Sequence, residues 1–189
     1  KEIDLKKTKK IYLEDAQYFI EDVRKSIIDR LTYEKVYKQG FSINTPINLN
    51  LQKIATKSLR DGLVSYDKRK GWHGILTNKN YDTNWIDDLE KFSLEKSLGW
   101  DIAIIKSIDK FSVDIETIDK TKGQIDYKEA SWVKKDFDEF LKIGDVVYVE
   151  KIRDNKFSLR QMPKVNGGIV VMDPYTGRVL ALSGGFSFR

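Results

Sequence analysis

The most constraining stretch of this sequence is its last one. Gly167-Gly168-Ile169-Val170-Val171 leads into Met172-Asp173-Pro174-Tyr175-Thr176-Gly177-Arg178, and Val179-Leu180-Ala181-Leu182 leads out to Gly184-Gly185. Two apolar runs of strand length flank a segment with turn chemistry. Pro174 presets φ at the first turn position, Asp173 and Thr176 bond local backbone, and Gly177 takes a left-handed conformation at low cost. The pattern predicts a β-hairpin over 169–172 and 179–182, with Val171 facing Leu180. Both strands are apolar on both faces, so they belong in the middle of a sheet covered from both sides. The residues after the hairpin cannot supply that sheet. The chain therefore reads as a piece of a larger protein, and the isolated piece is expected to expose an apolar edge and self-associate.

The 189 residues are enough for one large domain or two small ones with a true core, and 40% hydrophobic and 12% aromatic content is that of a globular chain. No cysteine is present, which excludes disulfides and thiolate metal sites within it. No apolar run reaches the length needed to cross a bilayer, and neither a signal peptide nor an initial methionine is found. The net charge of +5 raises the question of nucleic acid, but its distribution argues otherwise. Five lysines against two acids in residues 1–10 leave +3 there and only +2 on the other 179 residues, so the basicity is mostly one solvated end.

Helical periodicity begins at Asp15, where Ala16, Phe19, Ile20, Val23, Ile27 and Leu31 recur at steps of three and four. Gly40 closes that segment, and Phe41-Ser42-Ile43-Asn44 alternates as a short strand would before Pro46. Asn48 or Asn50 can cap a second helix with a stripe of Leu51, Ile54, Ala55, Leu59, Leu63 and Tyr66, ending at Lys68-Arg69-Lys70-Gly71. Residues 77–84 are rich in Asn, Asp and Thr and read as a loop, and 85–96 as a short helix using Trp85, Leu89 and Phe92.

After Gly99 the period changes to two. Trp100, Ile102 and Ile104 share one side of a strand, and Phe111, Val113 and Ile115 alternate with polar residues in the next. A turn at 119–123 is succeeded by a strand through Ile125 and Tyr127, a strand at 146–149 and one through Phe157 and Leu159. Five short antiparallel strands in some 60 residues fit a small barrel of the OB type. The fold class is α+β.

The chemistry-bearing residues are few. Ser-x-x-Lys, the spacing of penicillin-binding acyl-transfer enzymes, occurs at Ser65/Lys68, Ser93/Lys96, Ser107/Lys110 and Ser131/Lys134. Twelve serines in a chain one-seventh lysine give roughly two such pairs by chance, and no Lys-Thr-Gly or Lys-Ser-Gly comes after them. Ser42-Ile43-Asn44 has Ser-x-Asn spacing but reads as a polar pair at a strand end. His73, the single histidine, stands between Trp72 and Gly74 without an acidic sequence neighbour. Asp87-Asp88 and Asp136-Phe137-Asp138-Glu139 lack the ligand spacing of a calcium loop and read as solvated faces. No catalytic, cofactor-binding or metal-binding residue is assigned, and no cofactor is expected. The rival to a structural role is an OB-type single-strand nucleic-acid binder using Trp100, Phe111, Tyr127, Trp132 and Phe157. Phe111 is in phase with Val113 and Ile115 and reads as core, while Asp114, Glu116 and Asp126 opposite would repel phosphate.

Gly-x-hydrophobic-Val-x-Asp-Pro-x-Thr-Gly-x-Val-Leu-Ala-x-x-Gly-Gly over the final hairpin resembles the opening of the transpeptidase domain of class A penicillin-binding proteins, particularly those of the 1A type. The resemblance runs from about Tyr18 to Phe188. Tyr18-Phe19 with Val23-Arg24 is similar to the helix after that family's glycosyltransferase domain, and 40–45 with Leu51-Gln52 and Ala55 to its strand-then-helix connection. Leu59-Arg60-Asp61-Gly62-Leu63 and 66–74 resemble the approach to an OB-like insertion. Gly144-Asp145-Val146-Val147-Tyr148-Val149 resembles a late strand of it, and Leu159-Arg160-Gln161-Met162-Pro163 the return to the transpeptidase domain. Pro46, Lys70 and His73 depart from the family's usual residues, which bears on subfamily.

The resemblance implies a bifunctional, membrane-anchored enzyme of peptidoglycan synthesis, with a polymerising glycosyltransferase upstream and a cross-linking D,D-transpeptidase downstream. Both active sites would lie outside this chain, which is not itself expected to be an enzyme. It would comprise an inter-domain linker (1–70), an OB-like insertion (71–163) and the first hairpin of the transpeptidase sheet (164–189). Its implied partners are the parent's two catalytic domains, an envelope regulatory protein and peptidoglycan, with no nucleic acid and no membrane contact beyond an N-terminal anchor absent here. The implied location is the periplasmic side of the bacterial inner membrane.

Overall fold

The computed structural model describes residues 13–80 and 84–188. The lysine-rich first ten residues, and the part of the 77–84 loop at 81–83, lie outside the described residues. Three helices come first: α1 (Gln17–Leu31), α2 (Tyr33–Lys38) and α3 (Leu49–Lys70). Next come strands β1 (Thr77–Asn78), β2 (Trp100–Ile108), β3 (Ser112–Thr117) and β4 (Lys122–Asp126). After short helices α4 (Tyr127–Ala130) and α5 (Phe137–Phe140) come β5 (Asp145–Arg153), β6 (Lys156–Arg160), β7 (Ile169–Met172) and β8 (Val179–Ser183). The fold is α+β. Contacts group the chain into two compact units.

The first unit holds residues up to 57 together with 168–184 and Phe188. Its α1 begins where expected, but the helical segment breaks at Thr32, whose φ is +71°. Ala16 and Phe19 are buried, while Ile20 and Leu31 face solvent, so only part of the expected stripe is covered. Phe41–Asn44 is not a strand: it has no ladder partner, and Phe41 and Ile43 are exposed. Asn48 is the helix cap, its Oδ1 accepting the Asn50 and Leu51 N–H groups at 3.0 and 3.1 Å.

The predicted hairpin forms, within this chain as a two-stranded sheet. Val170 and Met172 are more than half exposed, because α1 packs on one side only. Val171 pairs with Ala181 rather than Leu180. Leu180 is the extra residue of a β-bulge, and its carbonyl accepts the Asn48 N–H at 2.8 Å. Beside it the Gln52 carboxamide acts as one residue of a missing strand. Its Oε1 accepts the Leu182 N–H at 2.9 Å, and its Nε2 donates to the Leu182 carbonyl at 3.0 Å. The outer edge of β8 is thus closed by a side chain.

The second unit holds 58–167 and 185–187. Strands β5-β2-β3-β4-β6 close on themselves through β5–β6, a five-strand barrel with β1 added beside β5. The barrel is not wholly antiparallel, since β4 and β6 pair in parallel at Gln124/Lys156 and Ile125/Phe157. That pair is what closure requires, because a ring of five strands cannot alternate in direction at every pairing. Tyr127 opens α4 rather than ending a strand.

The interior packs Ala103, Ile105, Val113, Ile115, Ile125, Val147, Val149, Phe157 and Leu159, with Val133, Phe137 and Leu141 closing one end. Gly123 is obligatory there. A Cβ would overlap the Phe157 ring and lie 2.9 Å from the Asn155 carbonyl.

Residues 85–96 form no α-helix. Two 3-10 turns (Glu90–Phe92 and Lys96–Leu98) replace it, yet Trp85 and Leu89 are buried as their spacing predicts. They cover Ile102, Ile104, Val146 and Tyr148 on the outside of β2 and β5. This is why β2 is apolar on both faces. Phe111 is not core: it precedes β3 at the hairpin turn and is 71% exposed.

Candidate functional site

In three of the four Ser-x-x-Lys pairs the serine side chain is engaged with a group other than its lysine. Ser65 accepts from Arg69 at 3.1 Å, Ser107 donates to Asp114 at 2.8 Å, and Ser131 donates to the Lys128 carbonyl at 2.9 Å. Ser93 comes after a 3-10 turn and its N–H donates to the Glu90 carbonyl. Lys110 lies over the Phe111 ring, and Lys134 takes a left-handed backbone conformation after a 3-10 turn.

Lys68 is the unusual member. It is half-buried on α3 with its ammonium 5.2 Å from the Trp132 ring centroid. Burial, helped by the Arg160 charge and opposed by Glu129 and Glu150, holds its pKa down at about 8. Trp132 and Phe140 in turn stand 5.9 and 5.7 Å from Trp72, where the chain leaves α3.

The lone histidine does have an acidic neighbour. His73 Nε2 lies 2.8 Å from Asp67 Oδ2, and the same oxygen accepts from Gln161 Nε2 at 2.8 Å. Asp67 Oδ1 accepts the Lys164 N–H at 3.0 Å. Gln161 also donates to the Gly71 carbonyl and accepts the His73 N–H. Asp67 is 2% exposed, so this is a buried carboxylate fully supplied with donors. It binds the segment entering the barrel at 71–73 and the segment leaving it at 161–164. Sequence reading missed it because an apolar stripe was fitted to α3. The buried face runs Gln52, Ala55, Thr56, Leu63 and Asp67, while Ile54 and Tyr66 are exposed. The signal was an acid four residues beyond Leu63, in line with the stripe.

The five rings of the nucleic-acid reading do not form one platform. Phe157 is inside the barrel, Trp132 meets Trp72, and Tyr127 meets Phe137. Trp100 packs between Tyr148 and Phe186. Asp114, Glu116 and Asp126 belong to a mixed-charge band with Lys106, Gln124 and Lys156.

Asp136 and Glu139 form the capping box of α5, and Asp87 accepts from Asn84. Ser42 and Asn44 lie in the connection before α3, outside any strand. Among the described residues no group of acids and histidine gathers as a metal site, and no helix is long and apolar enough to cross a membrane.

A groove of about 620 Å³ opens between residues 86–96 and the β2 and β3–β4 side of the barrel. Its floor is Leu89, Ile102 and Trp100, and Asp101, Asp119 and Glu90 line it with Lys96. Glu95 at one end is paired with Arg60 at 2.6 Å. Arg60 also donates to the Phe186 carbonyl and to Ser97, and Ser187 donates to Glu95.

Residues 72–165 match the family described as the penicillin-binding protein OB-like domain. Over 98% of its length the chain is 37% identical to penicillin-binding protein 1A of Rickettsia prowazekii, and over 93% it is 26% identical to that of Pseudomonas aeruginosa. It spans about a quarter of the length of these curated relatives, 24% and 23%. The crystal structure of penicillin-binding protein 1A from Haemophilus influenzae is similar over 92% of this chain and 26% of that one, with 25% identity and a TM-score of 0.75.

Proposed function

Since this chain belongs to the penicillin-binding protein 1A family, with the family's OB-like domain at 72–165, we propose that it is the spacer and docking module of a bifunctional peptidoglycan synthase. In this reading residues 1–70 link a glycosyltransferase domain to the barrel, 71–163 form that barrel as an insertion, and 164–189 begin a D,D-transpeptidase sheet. The module is non-catalytic, works on the periplasmic side of the inner membrane, and presents the barrel to an envelope regulator or to peptidoglycan.

The observation that carries the reading is the Asp67 clasp. One buried carboxylate ties the segment entering the barrel to the segment leaving it, through His73, Gln161 and Lys164. Fastening the entering and leaving segments of a barrel to each other is how an inserted domain can be added without disturbing its host. The engagement of Ser65, Ser107 and Ser131 with partners other than their lysines agrees with chemistry located elsewhere.

Deleting 72–160 from the full-length protein tests it. Penicillin acylation should survive, while the coupling of polymerisation to cross-linking, or its activation by a regulator, should be lost. Lost acylation in a protein that still folds would overturn the docking role, as would unchanged coupling.

A further inference from the structure

The groove on the barrel's flank has a composition that selects its occupant. The floor is apolar: Leu89 and Ile102 are buried and Trp100 is partly covered. Its volume is in the range of sites that hold one or two side chains or a small ligand. Among the described residues neither Asp101 nor Glu90 forms an ion pair, and Asp119 is bonded to Thr117, a neutral hydroxyl. Burial, with the Asp119 charge adding to it, raises the Asp101 carboxyl above its ordinary range, whereas Lys151 acts in the opposite direction. Among the described residues three carboxylates beside the apolar floor, Glu90, Asp101 and Asp119, thus lack a salt bridge, and Lys96 is the one basic side chain lining the groove.

We propose that this groove is the docking surface of the module and takes a basic segment of a partner protein. An apolar side chain of that segment would rest on Trp100 and the exposed Ile118, with an adjoining arginine or lysine between Asp101 and Asp119. The assignment rests on the proposed docking role. Apolar burial supplies affinity, and the carboxylate pair supplies sign selectivity and a fast, salt-sensitive association. An acidic or phosphorylated segment is rejected by the same pair.

The test uses the 15N-labelled 189-residue chain titrated with acetyl-Leu-Arg-Leu-amide and, separately, acetyl-Leu-Glu-Leu-amide. The arginine peptide should give saturable amide shifts confined to the groove, at Ile86, Ser93, Lys96, Asp101 and Ile118. The glutamate peptide should bind at least about tenfold more weakly. Asp101→Asn with Asp119→Asn should weaken the arginine peptide about tenfold and remove most of its salt dependence. Equal binding of both peptides, shifts elsewhere, no shift at millimolar peptide, or an unaffected double variant would each overturn the groove.

Full-length protein separates the two ideas. If deleting 72–160 abolishes coupling and the double asparagine variant does not, the groove is wrong and the docking role stands. If neither change affects coupling, the docking role itself fails.

Discussion

At the residue scale, Asp67 and Lys68 are neighbours with opposite solutions to burial. Asp67 keeps its carboxylate inside the fold because three protein donors reach it. Asp67→Ala would strand the donors on His73, Gln161 and Lys164, and is expected to cost about 3 kcal/mol, read as a lowered urea midpoint at unchanged slope. Among the described residues Lys68 has no such acceptor, and burial disfavours its charged form despite the aromatic ring its ammonium faces. Its folded pKa of about 8 lies below the ordinary lysine value of 10.5, so between these values the unfolded chain binds the extra proton. Stability from this residue therefore rises as pH goes from about 8 towards 10, and is at its lowest below 8. Denaturation midpoints at about pH 7.5 and about pH 9.5 should differ in that direction, and Lys68→Met should flatten the difference.

At the element scale, two closures hold the β structure, one in each unit. Inside the barrel, Gly123 on β4 lets the Phe157 ring cross the parallel β4–β6 seam. Gly123→Ala should destabilise the barrel by about 2 kcal/mol through overpacking, and Phe157→Leu should recover part of that loss in the double variant. Outside it, Gln52 supplies the two hydrogen bonds that a further strand would offer to Leu182. Gln52→Leu is close to isosteric and removes both, so amide exchange at Leu182 should quicken by at least tenfold, about 1.4 kcal/mol of local protection. If it does not quicken, the side chain is not the strand's partner. The free edge of the hairpin is then β7, whose Val170 and Met172 are exposed.

At the scale of the whole molecule, the proposed spacer role separates chemistry from scaffold. Intact-mass measurement after exposure to a β-lactam should show no adduct on this chain and a single adduct on the full-length protein. An adduct on the chain would make one of the four Ser-x-x-Lys pairs reactive, and Ser65 beside the perturbed Lys68 is where peptide mapping should look first. The exposed apolar side chains of the hairpin predict concentration-dependent association of the isolated chain, measurable by sedimentation and reduced by Val170→Lys with Met172→Lys. Unchanged sedimentation in that variant would place any association elsewhere.

What the sequence determined by itself is what repeats along it. Period-two alternation after Gly99 located the barrel strands. Asn48 or Asn50 and Gly71 bounded α3, and the Asp-Pro-x-Thr-Gly turn located the final hairpin, because caps, turns and alternation act over a few residues. What only the tertiary structure decided is what those elements meet. Phe41–Asn44 had the alternation of a strand but no neighbour to pair with. Phe111 was in phase with the core but fell one residue outside β3. The parallel β4–β6 pair and the bulge at Leu180 depend on where the chain returns, which no local pattern encodes. His73 has no acid beside it in sequence, and Asp67 six residues earlier reaches it only because α3 ends in a turn at Gly71. The α3 face was misjudged for the same reason. Gln52 and Asp67 are buried because distant backbone and side chains satisfy them, and burial of a polar group is decided by its partners, not by its own polarity.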